Sequence, residues 1–418
     1  MRRVLILVEN LPSPFDRRVW QEATTLRDAG YAVSIICPTG RGYEKKHEAI
    51  DGIDLWRYDL PTEGEGARGY ALEYFAALCW TFVLSLRVFF GRGFDVIHAC
   101  NPPDLFFLIG NFFKLFGKKF VFDHHDASPE LYEAKFGRRD LFWKLMVLLE
   151  KLTFRFADVS IATNESYRRI AIERGGMPPG RVFVVRSGPS LERLRVMPPQ
   201  EELKRGRKFL VGYVGVMGRQ EGIDLLLQAV RTLVFDFHRR DIHFGLVGGG
   251  TSLEEMRALA IALGVDDYVT FTGRVPDAEL LAMLNTADVC VNPDAANAMN
   301  DISTMNKIME YMALGKPIVQ FDLTEGRYSA RDASLYARPN DARHLARKIL
   351  DLVDNPEKRK AMGAFGRRRV QEELEWRYEA PKLLAAYEAL WPSVAPGGLR
   401  PRAPHPIATS RGSLKIGP

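Results

Sequence analysis

The sequence holds only four cysteines, Cys37, Cys79, Cys100 and Cys290, and no two of them form a C-x-x-C pair. That scarcity argues against a disulfide framework and a cysteine-ligated zinc site, and it fits a reducing compartment. Also missing is an uninterrupted apolar run of bilayer length. The most apolar window, residues 71–90, is broken by Glu73 and Arg87, which points to a buried or interfacial helix rather than a span. The opening MRRVLILVEN carries two arginines, but its apolar run is short and meets Glu9, so no secretion signal is expected. Acids are absent from the last 27 residues, where Arg400, Arg402, Arg411 and Lys415 supply four of the six net positive charges. The remainder carries only about +2, so nucleic acid is not an expected partner.

What is present is a strand–helix alternation that runs twice. Apolar runs of strand length at 4–8, 32–37, 95–98, 119–123, 158–162 and 182–185 alternate with helical patterns at 17–29, 71–90, 104–116, 140–156 and 165–173. Near-continuous apolar strands between helices predict a parallel sheet covered on both faces. A second series begins at 209, after a stretch containing Pro198-Pro199 and the charged run EELKRGRK. The expected fold is α/β, two doubly wound Rossmann-like domains facing across a cleft. The expected division is a first domain over 1–187, a linker over 188–207 and a second domain over 208–374. Helix 375–391 packs back on the first domain in this reading, and the Pro-, Gly- and Arg-rich tail 392–418 is expected to be disordered. In such sheets ligands bind at the carboxyl ends of the strands.

The most informative segment is DISTMNKIMEYMALGKP, residues 301–317. Asp301, Ser303 and Thr304 suit the exposed start of a helix that runs to Leu314, and Gly315 suits its stop. A helix start offers unpaired N–H groups to a phosphate. Lys307 adds a cation about one turn in, and Glu310 lies on nearly the same face. Cation and carboxylate together suit a nucleoside diphosphate, the first meeting phosphate and the second the ribose hydroxyls. A capped surface helix explains the segment equally well. The turn GVMGRQEG brings Gly218 and Arg219 to the end of a strand, LVGGG brings Gly249 and Gly250, and GRVP brings Arg274 and Val275. Each permits close backbone approach to a ligand, and each alone also reads as an ordinary turn.

In the first half, one strand ends in DHHDASPE. His125 and Asp126 suit acid–base or binding work there, while His124 also reads as a structural histidine. Four consecutive residues cannot converge on one metal in extended backbone. Asp16 suits a helix cap, Arg17 stays open, and Arg18 reads as solvated. Lys144, Lys151 and Arg155 share one helix face, and Lys114, Lys118 and Lys119 stand among Phe and Leu. Solvated core helices or a peripheral contact with an anionic membrane both explain these.

The segments FDRRVWQEATTLRDAGYAVSIICP, FDHHDASPE, GYVGVMGRQEGIDLLLQAV, GLVGGG, VTFTGRVP and MNKIMEYMALGKPIV, in that order, resemble nucleotide-sugar glycosyltransferases of family 4, with the GT-B fold. The resemblance runs from Arg3 to about Leu390. It implies transfer of a hexosyl or N-acetylhexosaminyl group with retention, without a metal or other cofactor, from a nucleotide-sugar, taken here as a UDP-sugar. The acceptor would be a polysaccharide or a lipid-linked glycan, and the location cytoplasmic, at the inner face of the plasma membrane. The family's ribose-gripping glutamate falls on Glu310, a basic residue on Lys307, and the cleft histidine on His125, which the resemblance makes catalytic. Donor contacts would include Gly218, Arg219, Gly249, Gly250, Arg274, Val275, Asp301, Ser303 and Thr304. Acceptor contacts would include Asp16, Arg17 and Asp126. Departures exist: Ile302 stands where many members have a first glutamate, and Val216 and Glu221 stand where many have Arg and Lys. Arg219 is the expected substitute for the phosphate role. A non-catalytic nucleotide-sugar-binding protein and an epimerase of the same architecture are the alternatives.

Overall fold

A computed structural model describes residues 1–60 and 66–391. The tail 392–418, expected to be disordered, lies outside the described residues. The first sheet has eight strands, β1 (Arg3–Leu7), β2 (Ala32–Pro38), β3 (His47–Ile50), β4 (Ile53–Tyr58), β5 (Val96–Cys100), β6 (Lys119–His124), β7 (Val159–Ala162) and β8 (Val182–Val184), in the order β3-β4-β2-β1-β5-β6-β7-β8. All pairs are parallel except β3–β4. That hairpin was not expected from the sequence. Asp51 and Gly52 turn it with φ of 50° and 79°, the left-handed pair that tight hairpins require. The connecting helices are α1 (Arg17–Asp28), α2 (Gly66–Phe90), α3 (Phe107–Lys114), α4 (Ser128–Phe136), α5 (Leu141–Phe156) and α6 (Glu165–Arg169).

The second sheet is wholly parallel, β11-β10-β9-β12-β13-β14, from β9 (Phe209–Val214), β10 (Ile242–Val247), β11 (Val269–Gly273), β12 (Val289–Asn292), β13 (Ile318–Phe321) and β14 (Ser334–Ala337). Around it lie α7 (Ile223–Arg231), α8 (Leu253–Ala262), α9 (Asp277–Thr286), α10 (Ala298–Ile302), α11 (Asn306–Ala313), α12 (Thr324–Ala330), α13 (Ala342–Val353) and α14 (Pro356–Arg369). Both faces of this sheet are covered by buried aliphatic clusters, as near-continuous apolar strands demand. The last helix, α15 (Trp376–Glu388), returns to the first domain. Its Leu383, Ala386 and Tyr387 are fully buried against the β1–β2–β5 core.

Parallel strands put all their carboxyl ends at one edge of each sheet. The turns after β1 and β6 in the first domain, and after β9 to β12 in the second, therefore line the gap between the domains. Opposed residues already touch across it: the Arg274 guanidinium lies 5.6 Å from the Phe15 ring centroid.

Candidate active site

Three glycine-bearing turns form the second domain's side. Gly248 and Gly250 take φ of +135° and +158°, and a Cβ on them would lie 1.9 Å from the Gly215 carbonyl and 2.5 Å from that of Met217. No side chain fits there, so the turns after β9 and β10 pack backbone to backbone. Met217 N–H donates to Gly249 O at 2.9 Å, and Gly248 N–H donates to Gly273 O at 3.0 Å. The result joins the segments holding Gly218, Gly249, Gly250, Arg274 and Val275 into one surface. Arg219 does not join them. Its side chain is 83% exposed, lies 3.9 Å from Glu255 of α8, and with Gly218 lines a groove between α7 and α8 that contains neither Lys307 nor Glu310. Arg219, expected in a phosphate role, stands on this groove beside Glu255.

Lys307 lies behind these turns. Its Nζ donates to Asp294 at 2.7 Å and Glu221 at 3.0 Å, and it sits 5.0 Å from the Tyr213 ring centroid. The side chain is only 10% exposed. Burial alone would strip its proton, but Asp294, Tyr213 and Glu221 outweigh this and hold the ammonium firmly charged. Asp294 is pushed up to about 7, first by burial and then by Glu221, with Lys307 opposing. Two acids therefore compensate one cation, and one of them titrates near neutrality.

The start of α11 differs from expectation. The helix begins at Asn306, and Met305 caps it without a side-chain hydrogen bond. Asp301 belongs instead to the separate short helix α10 and accepts from Thr324 N and Oγ1, at 2.8 and 3.0 Å. Ser303 Oγ donates to Met299 O at 2.7 Å and lies 3.2 Å from Tyr167 Oη. Thr304 Oγ1 accepts from Asn164 Nδ2 at 2.9 Å. Asp301, Ser303 and Thr304 are consumed by tertiary contacts, which removes them as helix caps. The uncapped N–H groups of α11 stay available beside Lys307.

Glu310, one turn further along α11, faces the first domain. Its Oε1 accepts from Arg17 Nη1 at 3.2 Å and also pairs with Arg193. Arg17 Nη2 and Arg193 Nη1 reach Asp277 at 2.8 and 3.1 Å. Two arginines and two acids thus form a square across the gap. Arg17, expected among acceptor contacts, pairs here with two acids of the second domain. Asp16 caps α1, accepting from Val19 N at 3.1 Å. Sequence reasoning missed Arg193 and Asp277, which lie in a linker and at a helix start with no local motif around them.

The first domain contributes a buried charge cluster. Arg18, read from sequence as solvated, is 8% exposed and donates to Asp123 Oδ1 at 2.9 Å and Val185 O at 2.9 Å. It forms an ion pair with Glu22 at 3.0 Å without hydrogen-bond geometry. Burial works against the Asp123 carboxylate, but Arg18, His125 and His98 outweigh it and hold it well below the usual range. Glu22 goes the other way, raised by burial and by Asp123 with Arg18 opposing. Glu22, His98, Cys100 and Asp123 offer atoms within 4.8 Å of one another, a donor set that could suit a cation. The Arg18 guanidinium already compensates its ionised carboxylate. His125 Nε2 lies 2.5 Å from Asp123 Oδ2 and 3.0 Å from Arg18 Nε. Nε2 can donate to the ionised Asp123 in one tautomer and accept from Arg18 Nε in the other, so these two groups fix the ring's position through one nitrogen. Asn101 Oδ1 accepts from the N–H groups of His125 and Asp126 at 2.7 and 3.1 Å, and so shapes the turn after β6. His124 is fully buried, its ring centroid 4.8 Å from that of Tyr167 and 5.3 Å from that of Phe154.

Behind this gap the domains are tied by buried polar contacts. Arg186 donates to Glu325 Oε2 at 3.3 Å and Ser166 Oγ to Glu325 Oε1 at 2.8 Å; Asn164 Nδ2 donates to Ile302 O at 2.8 Å. The segment 302–304, where the resemblance places a sugar-contacting glutamate, is used here to dock on the first domain.

Two doubly wound domains with their strand ends opposed define the GT-B architecture. Sucrose-phosphate synthase from Thermosynechococcus elongatus superposes with a TM-score of 0.75 over 93% of this chain and 99% of its own, at 19% identity. An Anabaena protein solved in complex with UDP-glucose gives 0.70 at 14% identity, over 93% of this chain and all of its own. A model described as Glycosyltransferase Family 4 matches residues 16–193, and one described as Glycosyl transferases group 1 matches 208–355. The chain is 26% identical over 396 residues to an MMP alpha-(1->4)-mannosyltransferase of Mycolicibacterium hassiacum, covering 87% of this chain and 91% of that one. This protein is a glycosyltransferase.

Proposed function

We propose that the enzyme moves a sugar from a nucleoside-diphosphate-sugar to a glycan or lipid-linked acceptor, with retention at the anomeric carbon and without a metal. The observation that carries this reading is Glu310, presented at the interdomain gap beside an uncapped helix start and Lys307. The diphosphate would lie on the α11 amides and the glycine turns, and Glu310 would accept from the two ribose hydroxyls. Arg17 and Arg193 would release Glu310 when the ribose arrives. As the glycosidic bond breaks, charge builds on the departing diphosphate, and preformed N–H groups with Lys307 stabilise it; removing one such group typically costs 10²–10³-fold in rate. His125, fixed by its contacts with Asp123 and Arg18, would hydrogen-bond to a sugar hydroxyl. A UDP-sugar is favoured by the Anabaena neighbour's bound UDP-glucose.

The test is turnover of labelled UDP- and GDP-sugars by the full chain, with the product's anomeric configuration read by NMR. Glu310→Ala should weaken donor use by about 10–100-fold, the worth of hydrogen bonds to a charged group. Lys307→Ala should act mainly on kcat, and a chelator should leave turnover unchanged. Full activity in both variants would remove the site from α11. An inverted product would remove the retaining mechanism.

A further inference from the structure

The first domain has a helix that is amphipathic in reverse. Helix α2 rests on β2 and β4 through Ala77, Thr81, Ser85 and Val88, a stripe with spacings of four, four and three that is 0–2% exposed. The Ser85 hydroxyl is buried without a hydrogen-bond partner. The opposite stripe carries the large apolar groups, with Phe75, Val83 and Phe90 at 62%, 53% and 81% exposed and Trp80 at 50% beside them. A soluble surface helix has the opposite arrangement. Helix α2 contains an 18-residue apolar window, Glu73–Phe90, but one side of it is part of the domain core, so it lies on the sheet and does not cross a bilayer.

The same surface continues over α3 and α5. Ring contacts Phe82–Phe112 (5.1 Å) and Phe89–Phe113 (5.3 Å) join α2 to α3, and α3 packs beside α5. Leu115 on the α3 side and Leu141, Leu145 and Leu148 on α5 are 81%, 82%, 44% and 51% exposed. An apolar surface of this extent on one domain marks an interaction face. Its charge says which kind. Arg87, Lys144, Lys151 and Arg155 are exposed among the apolar groups, while the acids of these helices, Glu73 and Glu150, are half-buried and buried. Lys151 and Arg155 also line a groove of about 830 Å³ with Lys119 and Arg181, and with the acids Asp158 and Glu173.

We infer that the α2–α3–α5 face docks on an anionic lipid surface. Its Phe, Trp and Leu side chains would enter the interface and its Lys and Arg side chains would meet the headgroup phosphates. This inference does not rest on the proposed transfer reaction.

The test is co-sedimentation of the full chain with vesicles of phosphatidylglycerol and phosphatidylcholine, and with phosphatidylcholine alone, at low and high salt. Binding is expected to the anionic vesicles and to fall with salt. The triple change Lys144→Glu, Lys151→Glu, Arg155→Glu should weaken it about tenfold or more, and so should Leu141→Ser with Leu145→Ser and Leu148→Ser. All six positions are solvent-facing, so folding should be retained, and circular dichroism checks this. Brominated lipids should quench the wild type more than Trp80→Phe. Donor-sugar turnover measured without vesicles should be equal in wild type and both triple variants, which keeps this result separate from the transfer reading. Absence of binding to anionic vesicles would overturn the inference, as would binding indifferent to lipid charge. A stable dimer that the leucine variant makes monomeric would assign the face to a second copy of the chain.

Discussion

Arg17 and Arg18 are neighbours in sequence and opposites in environment. Arg17 is 50% exposed and reaches across the gap to Asp277 and Glu310 of the other domain. Arg18 is 8% exposed and turns inward to Asp123 and Glu22 of its own. One helical step of about 100° separates them. An exposed pair is worth about 0–1 kcal/mol, since water screens it and long side chains lose freedom. A buried pair is not strongly stabilising as a pair, yet removing one partner strands a charge and costs about 3–5 kcal/mol. The inner cluster is therefore fixed architecture holding His125, and the outer square is a contact that a ligand can displace.

The largest expected effect breaks the inner cluster. Arg18→Met leaves Asp123 ionised and buried without its cation, and stability should fall by about 3–5 kcal/mol in urea titrations. Adding Asp123→Asn should restore part of that loss, since the stranded charge goes with it. If Arg18→Met alone costs under 1 kcal/mol, the cluster is solvated and the contrast with Arg17 disappears.

The cluster around Lys307 lies between these two cases, buried like the first and adjacent to the ligand surface like the second. Asp294, raised to about 7 by burial and Glu221, sets the sign of a pH effect. A diphosphate brings negative charge and so favours the protonated acid. Binding should take up a proton, and affinity should be highest below pH 7. Above it, affinity should fall by up to about tenfold per pH unit, the limit for one coupled proton. Lys307, Glu221 and Tyr213 face the same carboxyl, but Lys307 and Tyr213 are both raised and titrate far above this range. Calorimetry of UDP in buffers of different ionisation enthalpy reads the proton directly. Asp294→Asn should flatten the profile, and an unchanged profile would assign it to another group.

Local rules made the fold legible and nonlocal contacts hid much of the site. Eleven of the strands were readable because each is a short apolar run between helical patterns; β3–β4 was not read although Asp51-Gly52 is a hairpin signal, and β14 hides in the mixed run SLYA. Ser303 and Thr304 look like caps because capping is the local use of a hydroxyl. Tyr167 and Asn164, more than 130 residues away in sequence, claim them instead. Arg18 looked solvated because a basic residue at a helix start usually is. Its i,i+4 partner Glu22 was visible, but the burial that makes the pair decisive comes from β5, β6 and α15.

The smallest effect tests the outer square. Arg17→Ala should change stability by under about 1 kcal/mol, consistent with exposed pairs. Its more telling readout is donor binding. While Arg17 holds Glu310, the ribose must displace it, so removing Arg17 should tighten donor binding by a factor of about two to five at low salt. At 0.5 M salt wild type and variant should converge, because screening already weakens the exposed contact. Arg193→Ala should act in the same direction. Weaker donor binding in Arg17→Ala would show instead that its guanidinium holds the diphosphate, and the square would then be a resting position for a phosphate ligand rather than a competitor for Glu310.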